Sequence, residues 1–437
     1  MTTGSELAVW WRGHRGDLPR DGHWAEIGED SFREIEHRIT GLHRLPGRVP
    51  DWAEDLFRVS RAAFLADKYT RRDAARDRWT RSIRLSVPVT AYERWQSTGA
   101  GLAALLQLLT ADLWEVEFRP LTGHHVQEAM PGPVDARAGE VAVFSGGLDS
   151  LSWAAVRAQA ESLSPLLLVM FGEGNALAGL QRRVWESVER LPGARALMLL
   201  EMSQTPRGDG SGRGLESSSR TRGLLYAAGA VRAAAAHGVD TVHVPENGQL
   251  ALNPPLTAAR SAACSTRSVH PLTLARLNAL IGAVAGPRSA VRVVNPWAWK
   301  TKGEVCKAGS EAGLSPADLE ATLSCGKSPK KWCGGPANCG VCFPCLVRRS
   351  GLLHAQDADG TDYRDEPWST DVSVERRRNW RALQQWLLGS YTFRDVLTDI
   401  PLPPDTDPVA AFELIMRGRG ELTRLLGMVS GDAAAVA

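Results

Sequence analysis

Apolar and polar positions follow two different patterns along this chain of 437 residues, and the change comes near residue 121. Before it, apolar residues recur at helical spacing over residues 52–70 and 92–109. They alternate with polar residues, as in a strand with one buried face, over residues 82–89 and 114–121. These helical and strand-like segments predict a small α+β domain for residues 1–121, to which the sequence assigns no chemistry.

Beyond a segment rich in turn-forming residues, the predicted linker 122–138, short apolar runs alternate with amphipathic helical segments. Strands are predicted at 141–144, 165–171, 195–201, 241–244 and 291–294, and helices at 149–162, 177–191, 221–237 and from 302 onward. Strands alternating with helices build a doubly wound parallel sheet, so the predicted fold class is α/β. The predicted domain spans residues 139–350, and a mainly helical extension, clearest at 374–388, occupies residues 351–437.

Composition narrows the class of protein without naming its function. Hydrophobic residues make up 43% and charged residues 23%, which is ordinary for a globular protein and excludes a wholly disordered or fibrous chain. No apolar run approaches the roughly 18 residues that a bilayer crossing requires, so we expect a cytoplasmic protein with no membrane partner. The 51 basic and 49 acidic residues nearly cancel, and we therefore do not expect a nucleic-acid partner.

The first chemical signal is the hexapeptide Ser-Gly-Gly-Leu-Asp-Ser at residues 145–150, between a predicted strand and a predicted helix. The two glycines let backbone N–H groups approach an anion, and Ser145 and Ser150 add hydroxyl donors at the positive end of the helix. No lysine follows the second glycine and the glycines are adjacent, so neither the kinase-type loop nor the dinucleotide fingerprint fits. The pattern predicts a phosphate-binding loop, with a plain glycine turn and helix cap as the alternative.

This hexapeptide resembles the signature of the PP-loop ATP pyrophosphatases, whose fold is adenine nucleotide α-hydrolase-like. The resemblance implies that ATP is cleaved between its α and β phosphates and that a carbonyl or carboxyl oxygen becomes an adenylate. The expected ATP-binding residues of the loop are Ser145, Gly146, Gly147, Leu148, Asp149 and Ser150. Because an ionised carboxylate only accepts, Asp149 is the residue expected to hold Mg²⁺ against the phosphates and to take part in catalysis.

The second signal is a cluster of five of the seven cysteines between residues 325 and 345. A long chain of cytoplasmic type uses such a cluster for metal or redox chemistry rather than for disulfides. Cys325, Cys339, Cys342 and Cys345 supply the four thiolates of a tetrahedral Zn²⁺ site. Two alternatives stay open: Cys333 in place of Cys325 as the fourth ligand, and an iron–sulfur cluster in place of zinc.

With both motifs in one chain, residues 139–350 resemble the 7-cyano-7-deazaguanine synthase family, QueC. The residues that match its carboxy-terminal zinc motif are Ser324, Cys325, Cys339, Gly340, Cys342, Cys345 and Arg348. Weaker matches are the arginine-bearing helix start at residues 219–222 and the lysine-bearing turn at residues 301–304. The resemblance implies a zinc site at residues 324–348 that is structural, since four thiolates leave no open position on the metal.

The family also implies the substrate 7-carboxy-7-deazaguanine, whose carboxylate would attack the α phosphate of ATP. Arg222 and Lys302 are then expected to neutralise the crowded anions as catalytic residues, and Arg220 to join them in binding ATP. Each of these cations has an alternative as an ordinary surface charge or a helix-end charge.

One segment departs from ordinary synthases, which carry a Tyr-Pro-Asp-Cys-Arg stretch after the fourth strand. Here polar residues take its place, and the expected substrate-binding residues are Glu246, Asn247, Asn253, Arg267 and His270. Glu246 would accept from the ring and exocyclic N–H groups of a guanine-like base, and Asn247 or Asn253 would read its carbonyl. The alternative is a proline-rich loop with internal caps.

This departure and the two added regions resemble the longer QueC-like proteins of antiphage systems, such as the QatC group. That branch implies an amine acceptor on a partner protein, joined to the activated acid by an amide bond. The alternatives are the ordinary synthase, which uses ammonia, and a PP-loop RNA sulfurtransferase, for which Cys264, Cys306 or Cys333 would carry the persulfide. A catalytically silent nucleotide-binding scaffold is the last alternative, and the intact residues of the 145–150 loop count against it.

Overall fold

The computed structural model describes most of the chain. It covers residues 6–14, 16–19, 23–33, 39–40, 45–123, 137–172, 175–208, 214–218, 220–257, 267–287, 289–326 and 337–435. Within these ranges, no helix combines the length and the apolar character that a bilayer crossing requires. The predicted linker falls mostly outside them, because residues 124–136 are not described.

Ten strands form two sheets in the described part of the chain. They are β1 (Glu6–Trp11), β2 (Trp24–Ile27), β3 (Ile39–Thr40), β4 (Ser82–Val89), β5 (Leu113–Pro120), β6 (Glu140–Val143), β7 (Leu166–Gly172), β8 (Leu197–Ser203), β9 (Thr241–His243) and β10 (Arg292–Val294). The first sheet has the order β2-β1-β4-β5, and the second has the order β10-β9-β6-β7-β8-β3.

Fourteen α-helices accompany these strands over the same described ranges. They are α1 (Asp51–Tyr69), α2 (Tyr92–Trp95), α3 (Gly99–Thr110), α4 (Leu148–Ala158), α5 (Asn175–Glu189), α6 (Arg222–His237), α7 (Gly248–Leu252), α8 (Pro271–Ala285), α9 (Lys302–Glu311), α10 (Pro316–Glu320), α11 (Phe343–Gln356), α12 (Arg378–Leu388), α13 (Phe393–Asp399) and α14 (Pro408–Ala435). The helix α8 is absent from the sequence-based prediction, and α12 begins four residues after the predicted start at 374.

The amino-terminal sheet differs from the predicted α+β arrangement. All of its neighbouring strands run parallel, which makes this part of the chain α/β. The strands β4 and β5 confirm the predictions at 82–89 and 114–121 to within one residue. Alternation with period two identifies a strand but is the same in parallel and antiparallel sheets, so the direction of pairing could not be predicted from it.

The single helix predicted over residues 92–109 is two helices, α2 and α3. The Oγ1 atom of Thr98 donates to the carbonyl of Trp95 at 2.8 Å, which closes a turn between them. Gly99 then begins α3 so close to β5 that a Cβ atom there would lie 2.5 Å from the Val116 carbonyl oxygen. Contact with the sheet therefore fixes the start of α3, and apolar spacing alone could not show this break.

The second sheet confirms the predicted doubly wound parallel fold. All of its pairs are parallel except that of the short edge strand β3 with β8. Alternate residues of β7 face opposite sides: Leu167 and Val169 pack with α6 and α8, whereas Leu166 and Leu168 pack with α4, α5 and α9. Helices thus cover both faces, as the near-continuous apolar runs of parallel strands require.

The two sheets are joined by one hydrophobic core. The helix α1 packs against both the first sheet and α6, and their buried residues belong to a single cluster with those of β6, β7 and β8. In addition, β3 lies within the predicted amino-terminal domain but pairs with the second sheet. The predicted domain limits at residues 121, 139 and 350 stay predictions, and the packing across the first of them is extensive.

The order of the second sheet places its switch point between β6 and β9. The chain leaves β6 toward β7 and β8 on one side, and later returns to β9 and β10 on the other side. Ligands of open α/β sheets bind in the crevice that such a reversal leaves at the carboxyl ends of the strands. The 145–150 loop follows β6, Glu246 and Asn247 follow β9, and Lys302 follows β10, so all converge at this edge.

Candidate functional site

The loop after β6 makes a tight turn packed against α5. Gly146 adopts a φ of 73°, a conformation that residues with a side chain rarely take. A Cβ atom there would lie 2.7 Å from Cγ of Gln181, a residue of α5. The Nε2 atom of Gln181 donates to the carbonyls of Ser145 (3.0 Å) and Phe171 (2.9 Å) and so ties the loop to the end of β7. Sequence reasoning missed Gln181, because a single glutamine within a helix carries no motif.

The serines of the loop bond within it. The hydroxyls of Ser145 and Ser150 share a hydrogen bond of 3.2 Å, and the Gly147 N–H donates to Ser145 Oγ at 3.3 Å. Gly147 precedes α4 without a side-chain cap, so the first amides of this 11-residue helix receive no cap from it. Leu148 is buried in the core, which leaves it only backbone groups for a ligand. The arrangement suits an anion bound by N–H groups at a helix start.

A buried ion pair lies beside this loop. The Nζ atom of Lys302, at the start of α9, is 2.5 Å from Oδ2 of Asp149, in the first turn of α4. Lys302 is 1% exposed and Asp149 7%. Burial opposes the charge on Lys302, but Asp149 and Glu246 outweigh it and raise the pKa of the amine. The structure thus brings together two residues predicted to be catalytic, although 153 positions separate them in the chain.

Two predicted substrate-binding residues adjoin the pair. The Nδ2 atom of Asn247 donates to Asp149 Oδ2 at 3.3 Å and to Glu246 Oε1 at 3.1 Å. Burial, followed by the negative charge of Asp149, raises the pKa of Glu246 to about 8. This carboxyl therefore holds its proton to higher pH than an ordinary glutamate, and in its protonated form it can donate as well as accept. Asn247 also caps α7, since its Oδ1 accepts from the Leu250 N–H.

Asn295, just after β10, fixes the backbone of this cluster. Its Oδ1 accepts from the backbone N–H groups of Glu246 (3.1 Å) and Trp297 (3.0 Å), and its Nδ2 donates to the Glu246 carbonyl at 2.7 Å. The indole N–H of Trp297 donates to the Asp149 carbonyl at 3.2 Å. Sequence reasoning missed both residues, although an asparagine and a proline directly after a predicted strand mark a turn at the binding edge of the sheet.

The two predicted ATP-binding arginines take different positions. Arg222 is the first residue of α6, and its guanidinium lies 6.0 Å from the ring centroid of Tyr226. Tyr226 in turn stacks on Phe171, the residue whose carbonyl accepts from Gln181. Arg220 instead donates to the Thr110 carbonyl at 3.0 Å in the amino-terminal part and stacks on Trp79. The ATP-binding role of both arginines stays a prediction, and the geometry favours Arg222.

Two of the three remaining predicted substrate-binding residues, Asn253 and His270, lie at helix ends. Asn253 ends α7 in the left-handed conformation, with a φ of 46°, which asparagine tolerates better than most residues. His270 is 1% exposed and caps α8 by accepting from the Leu272 N–H at Nδ1. Burial and the nearby charge of Arg267 lower the pKa of His270 to about 4. The alternative of a loop with internal caps thus describes Asn253 and His270, and it describes Asn247 in part, since Asn247 caps α7 and also contacts the ion pair.

The four predicted zinc ligands come together. The Sγ atoms of Cys325, Cys339, Cys342 and Cys345 lie within 4.8 Å of one another. Two pairs are 4.0 Å and 3.9 Å apart, close to the roughly 3.8 Å between sulfurs of a tetrahedral zinc site with bonds of about 2.3 Å. The donor set therefore fits Zn²⁺. The competing fourth ligand, Cys333, lies outside the described residues.

The cysteine cluster is connected to the phosphate loop through buried polar groups. Arg348 donates to Thr322 Oγ1 at 2.6 Å and to the carbonyls of Leu319 and Glu320. These bonds fix the segment just before the first cysteine ligand. In that segment the Leu323 N–H donates to the Gly146 carbonyl at 3.4 Å. A metal bound to the cysteines would thus stabilise one wall of the phosphate loop.

The part of the chain that contains the cysteine cluster resembles a known protein family. Residues 272–356 match the family model described as Queuosine biosynthesis protein QueC. This segment is QueC-like. It contains Lys302, the four clustered cysteines and Arg348, but not the 145–150 loop.

A curated relative is similar to part of this chain. Over 80 residues the chain is 39% identical to the 7-cyano-7-deazaguanine synthase of Methanothermobacter thermautotrophicus. The match covers 18% of this chain and 32% of the relative, so the chain spans about a third of the length of the relative it matches. The resemblance stated for residues 139–350 is confirmed for the carboxy-terminal part of that range.

Proposed function

We propose that this protein uses ATP to activate the carboxylate of 7-carboxy-7-deazaguanine and then joins the activated acid to an amine. The observation that carries the proposal is the buried Lys302–Asp149 pair, which lies beside an anion-binding loop at the switch point of the sheet. The QueC-like segment supports the substrate class, because it includes both Lys302 and the cysteine cluster.

The first step is the attack of the acid on ATP, and the loop, Lys302 and Arg222 each stabilise charge in it. A carboxylate oxygen of the acid attacks the α phosphorus, and the bond from that phosphorus to the bridging oxygen breaks as pyrophosphate leaves. The amides of the loop and the hydroxyls of Ser145 and Ser150 stabilise the charge that develops on the leaving group. Lys302 neutralises further charge at the same end of the sheet, and Arg222 would do so from the start of α6.

Mg²⁺ would bind at Oδ1 of Asp149. The Oδ2 atom of Asp149 is paired with Lys302, whereas the hydrogen bond that its Oδ1 accepts from Asn247 is long, at 3.5 Å. Carboxylate oxygens are the protein ligands that Mg²⁺ prefers, and the ion would supply positive charge against the phosphates. Zn²⁺ at the four cysteines would hold the neighbouring wall of the loop and take no part in the reaction.

Glu246 and Asn247 would recognise the base. A protonated Glu246 offers both a donor and an acceptor, and Asn247 holds it beside the ion pair. A guanine-like edge presents N–H donors next to a carbonyl acceptor, which such a pair can read. Asn253, Arg267 and His270 would shape the adjoining segment, since Asn253 ends α7 and His270 caps the start of α8.

In the second step the nitrogen of an amine attacks the carbonyl carbon of the acyl adenylate. AMP leaves, and the nitrogen loses a proton to give an amide. We propose that the amine belongs to a partner protein in an antiphage system and that the reaction takes place in the cytoplasm, as in the QatC group. The first sheet and the helices after α11 support this acceptor, because they lie outside the QueC-like segment and offer surface for a partner.

The second candidate is the ordinary synthase reaction, in which ammonia is the acceptor. Its specific support is the curated relative, which is itself a 7-cyano-7-deazaguanine synthase. The sulfurtransferase alternative is weaker, because burial raises the pKa of Cys306 to about 12 and so keeps it from forming a reactive thiolate. The other two cysteines named for that reaction, Cys264 and Cys333, lie outside the described residues.

The test combines product analysis with a matched pair of variants. Purified protein is incubated with ATP, Mg²⁺ and the carboxy-deazaguanine, with either ammonium or a peptide amine, and nucleotides and adducts are measured by mass spectrometry. AMP and pyrophosphate that depend on the acid support the proposal, and a peptide amide favours the protein acceptor. Lys302→Gln should abolish turnover, whereas Lys307→Gln, an exposed lysine on the same helix, should leave it unchanged. Release of ADP, or turnover in Lys302→Gln, would contradict the mechanism.

A further inference from the structure

We infer that Glu421, on the carboxy-terminal helix α14, is a positioning residue that holds Lys302 in the site. This inference rests on the proposed function for the role of Lys302 and goes beyond it by assigning a task to the helical extension. Glu421 lies 65 residues past the end of the QueC-like segment and has no motif around it.

Glu421 bonds to the first turn of α9. Its Oε1 accepts from the hydroxyl of Thr301, and its Oε2 accepts from the N–H of Gly303 at 3.1 Å. Thr301 and Glu304 already form a capping box at this helix start, with a bond of 2.9 Å from the Thr301 N–H to the Glu304 carboxylate. The first amides of a helix have no hydrogen-bond partner within the helix. Glu421 accepts from the Gly303 amide, which the capping box does not satisfy.

The backbone amide between Thr301 and Gly303 belongs to Lys302, and α14 holds this amide in place indirectly. The Lys302 N–H donates to Oε1 of Gln249 at 2.7 Å. The side chain of Gln249, from α7, lies directly against α14, because a Cβ atom at Gly418 would be 2.1 Å from its Nε2. The helix α14 therefore fixes two consecutive amides of α9, one through Glu421 and one through Gln249.

Glycines allow the helices to approach this closely. A Cβ atom at Gly303 would lie 2.6 Å from Oε1 of Glu421, and one at Gly351 of α11 would lie 2.5 Å from Cγ of Lys302. At Gly248 a Cβ atom would lie 2.3 Å from Leu414 of α14. The stem of Lys302 is thus enclosed by α11 on one side, and its backbone is held by α7 and α14, which directs its Nζ to Asp149.

Glu421 is itself buried, with 6% of its surface exposed, so its carboxylate is held away from competing water. Replacement by alanine would leave the Gly303 N–H and the Thr301 hydroxyl without this acceptor. The first turn of α9 would then unfold more often. In a smaller fraction of the molecules, Lys302 would lie where it can neutralise the charge that develops on pyrophosphate. Displacing the Lys302 ammonium weakens its interaction with the transition state more than its interaction with bound ATP. We therefore expect kcat to fall by a larger factor than KM for ATP rises.

The experiment compares Glu421→Ala, Glu421→Gln and Glu413→Gln in the full-length protein. Glu413 is an exposed carboxylate on the same helix and serves as the matched control. Acid-dependent pyrophosphate release is measured over a range of ATP concentrations, well below the unfolding temperature of each variant. We expect kcat to fall about tenfold in Glu421→Ala and less in Glu421→Gln, which keeps one acceptor, with no change in the control.

Amide hydrogen exchange of residues 299–305, read by mass spectrometry, separates this inference from the proposed function. Exchange in this peptide should be faster in Glu421→Ala than in wild type and unchanged in Glu413→Gln. If wild type releases no pyrophosphate, the proposed function fails and exchange alone decides whether Glu421 holds the start of α9. Unchanged exchange in Glu421→Ala, or kcat equal to that of wild type, would overturn the inference.

Discussion

Replacing Asp67 should loosen the attachment of the amino-terminal part to the second sheet. Asp67 lies on α1, is fully buried, and its Oδ1 is 2.6 Å from the Arg81 guanidinium. Its Oδ2 accepts from the N–H groups of Arg220 and Thr221, both at 3.1 Å, and from the Thr221 hydroxyl at 2.9 Å. One carboxylate therefore neutralises a buried arginine and also caps α6, the helix that begins at Arg222.

The size of the effect follows from these contacts. Removing one partner of a buried ion pair costs about 3 to 5 kcal/mol, because the other charge is left uncompensated. Here Arg81 keeps a second partner, Asp112, at 2.5 Å, so the loss should lie toward the lower end of that range. The loss of the cap on α6 adds to it. We therefore expect Asp67→Ala to lower the free energy of unfolding by about 3 kcal/mol.

Urea unfolding followed by tryptophan fluorescence measures this, since the chain contains 15 tryptophans. The control is Asp73→Ala, which removes an exposed carboxylate paired with Arg71 and should leave the unfolding midpoint unchanged. Asp67→Asn, which keeps an acceptor for α6 but loses the charge, should fall between wild type and Asp67→Ala. A loss below about 1 kcal/mol in Asp67→Ala would refute the reasoning that this carboxylate joins the two parts.

Three further predictions concern the metal, the nucleotide and pH. Elemental analysis of the wild type is expected to find a single Zn²⁺, and Cys342→Ser should lose it. Because metal binding and folding are linked, this variant should also unfold more easily. Iron and sulfide in the wild type would contradict the zinc assignment. Asp149→Asn should lose pyrophosphate release, and because it leaves the buried Lys302 without its charged partner it should also unfold at a lower urea concentration. Near wild-type turnover would place Mg²⁺ elsewhere. Burial would raise the pKa of Glu140, but its ion pairs with Arg157 and Arg195 lower it from 4.5 to about 2. Because the folded-state pKa is depressed, the stabilisation is present above pH 4.5 and lost as pH falls toward 2, so the acid loss of stability in urea titrations should be shallower in Glu140→Gln.

The sequence alone determined the local elements and the short motifs. Strand β4 was predicted at its observed bounds, residues 82–89, because period-two alternation is written into consecutive residues. The hexapeptide 145–150 was predicted at the junction of a strand and a helix, and in the structure it follows β6 and includes the first three residues of α4. The four cysteines span only 21 residues, and a metal site of this kind is encoded in their spacing. Each of these features depends on neighbours within a turn or a short loop.

Tertiary structure decided how distant segments meet. Lys302 and Asp149 pair because β10 and β6 both belong to one sheet with only β9 between them, and no local pattern records the order of strands. The same holds for Asn295, which binds Glu246 across two strand ends, and for Glu421, whose partners lie about 120 residues earlier. The parallel direction of the first sheet and the break between α2 and α3 likewise depend on contacts with other elements. Apolar periodicity predicts which face of a segment is buried. It does not predict which other segment packs against that face, because that depends on how all the segments pack together in the folded core.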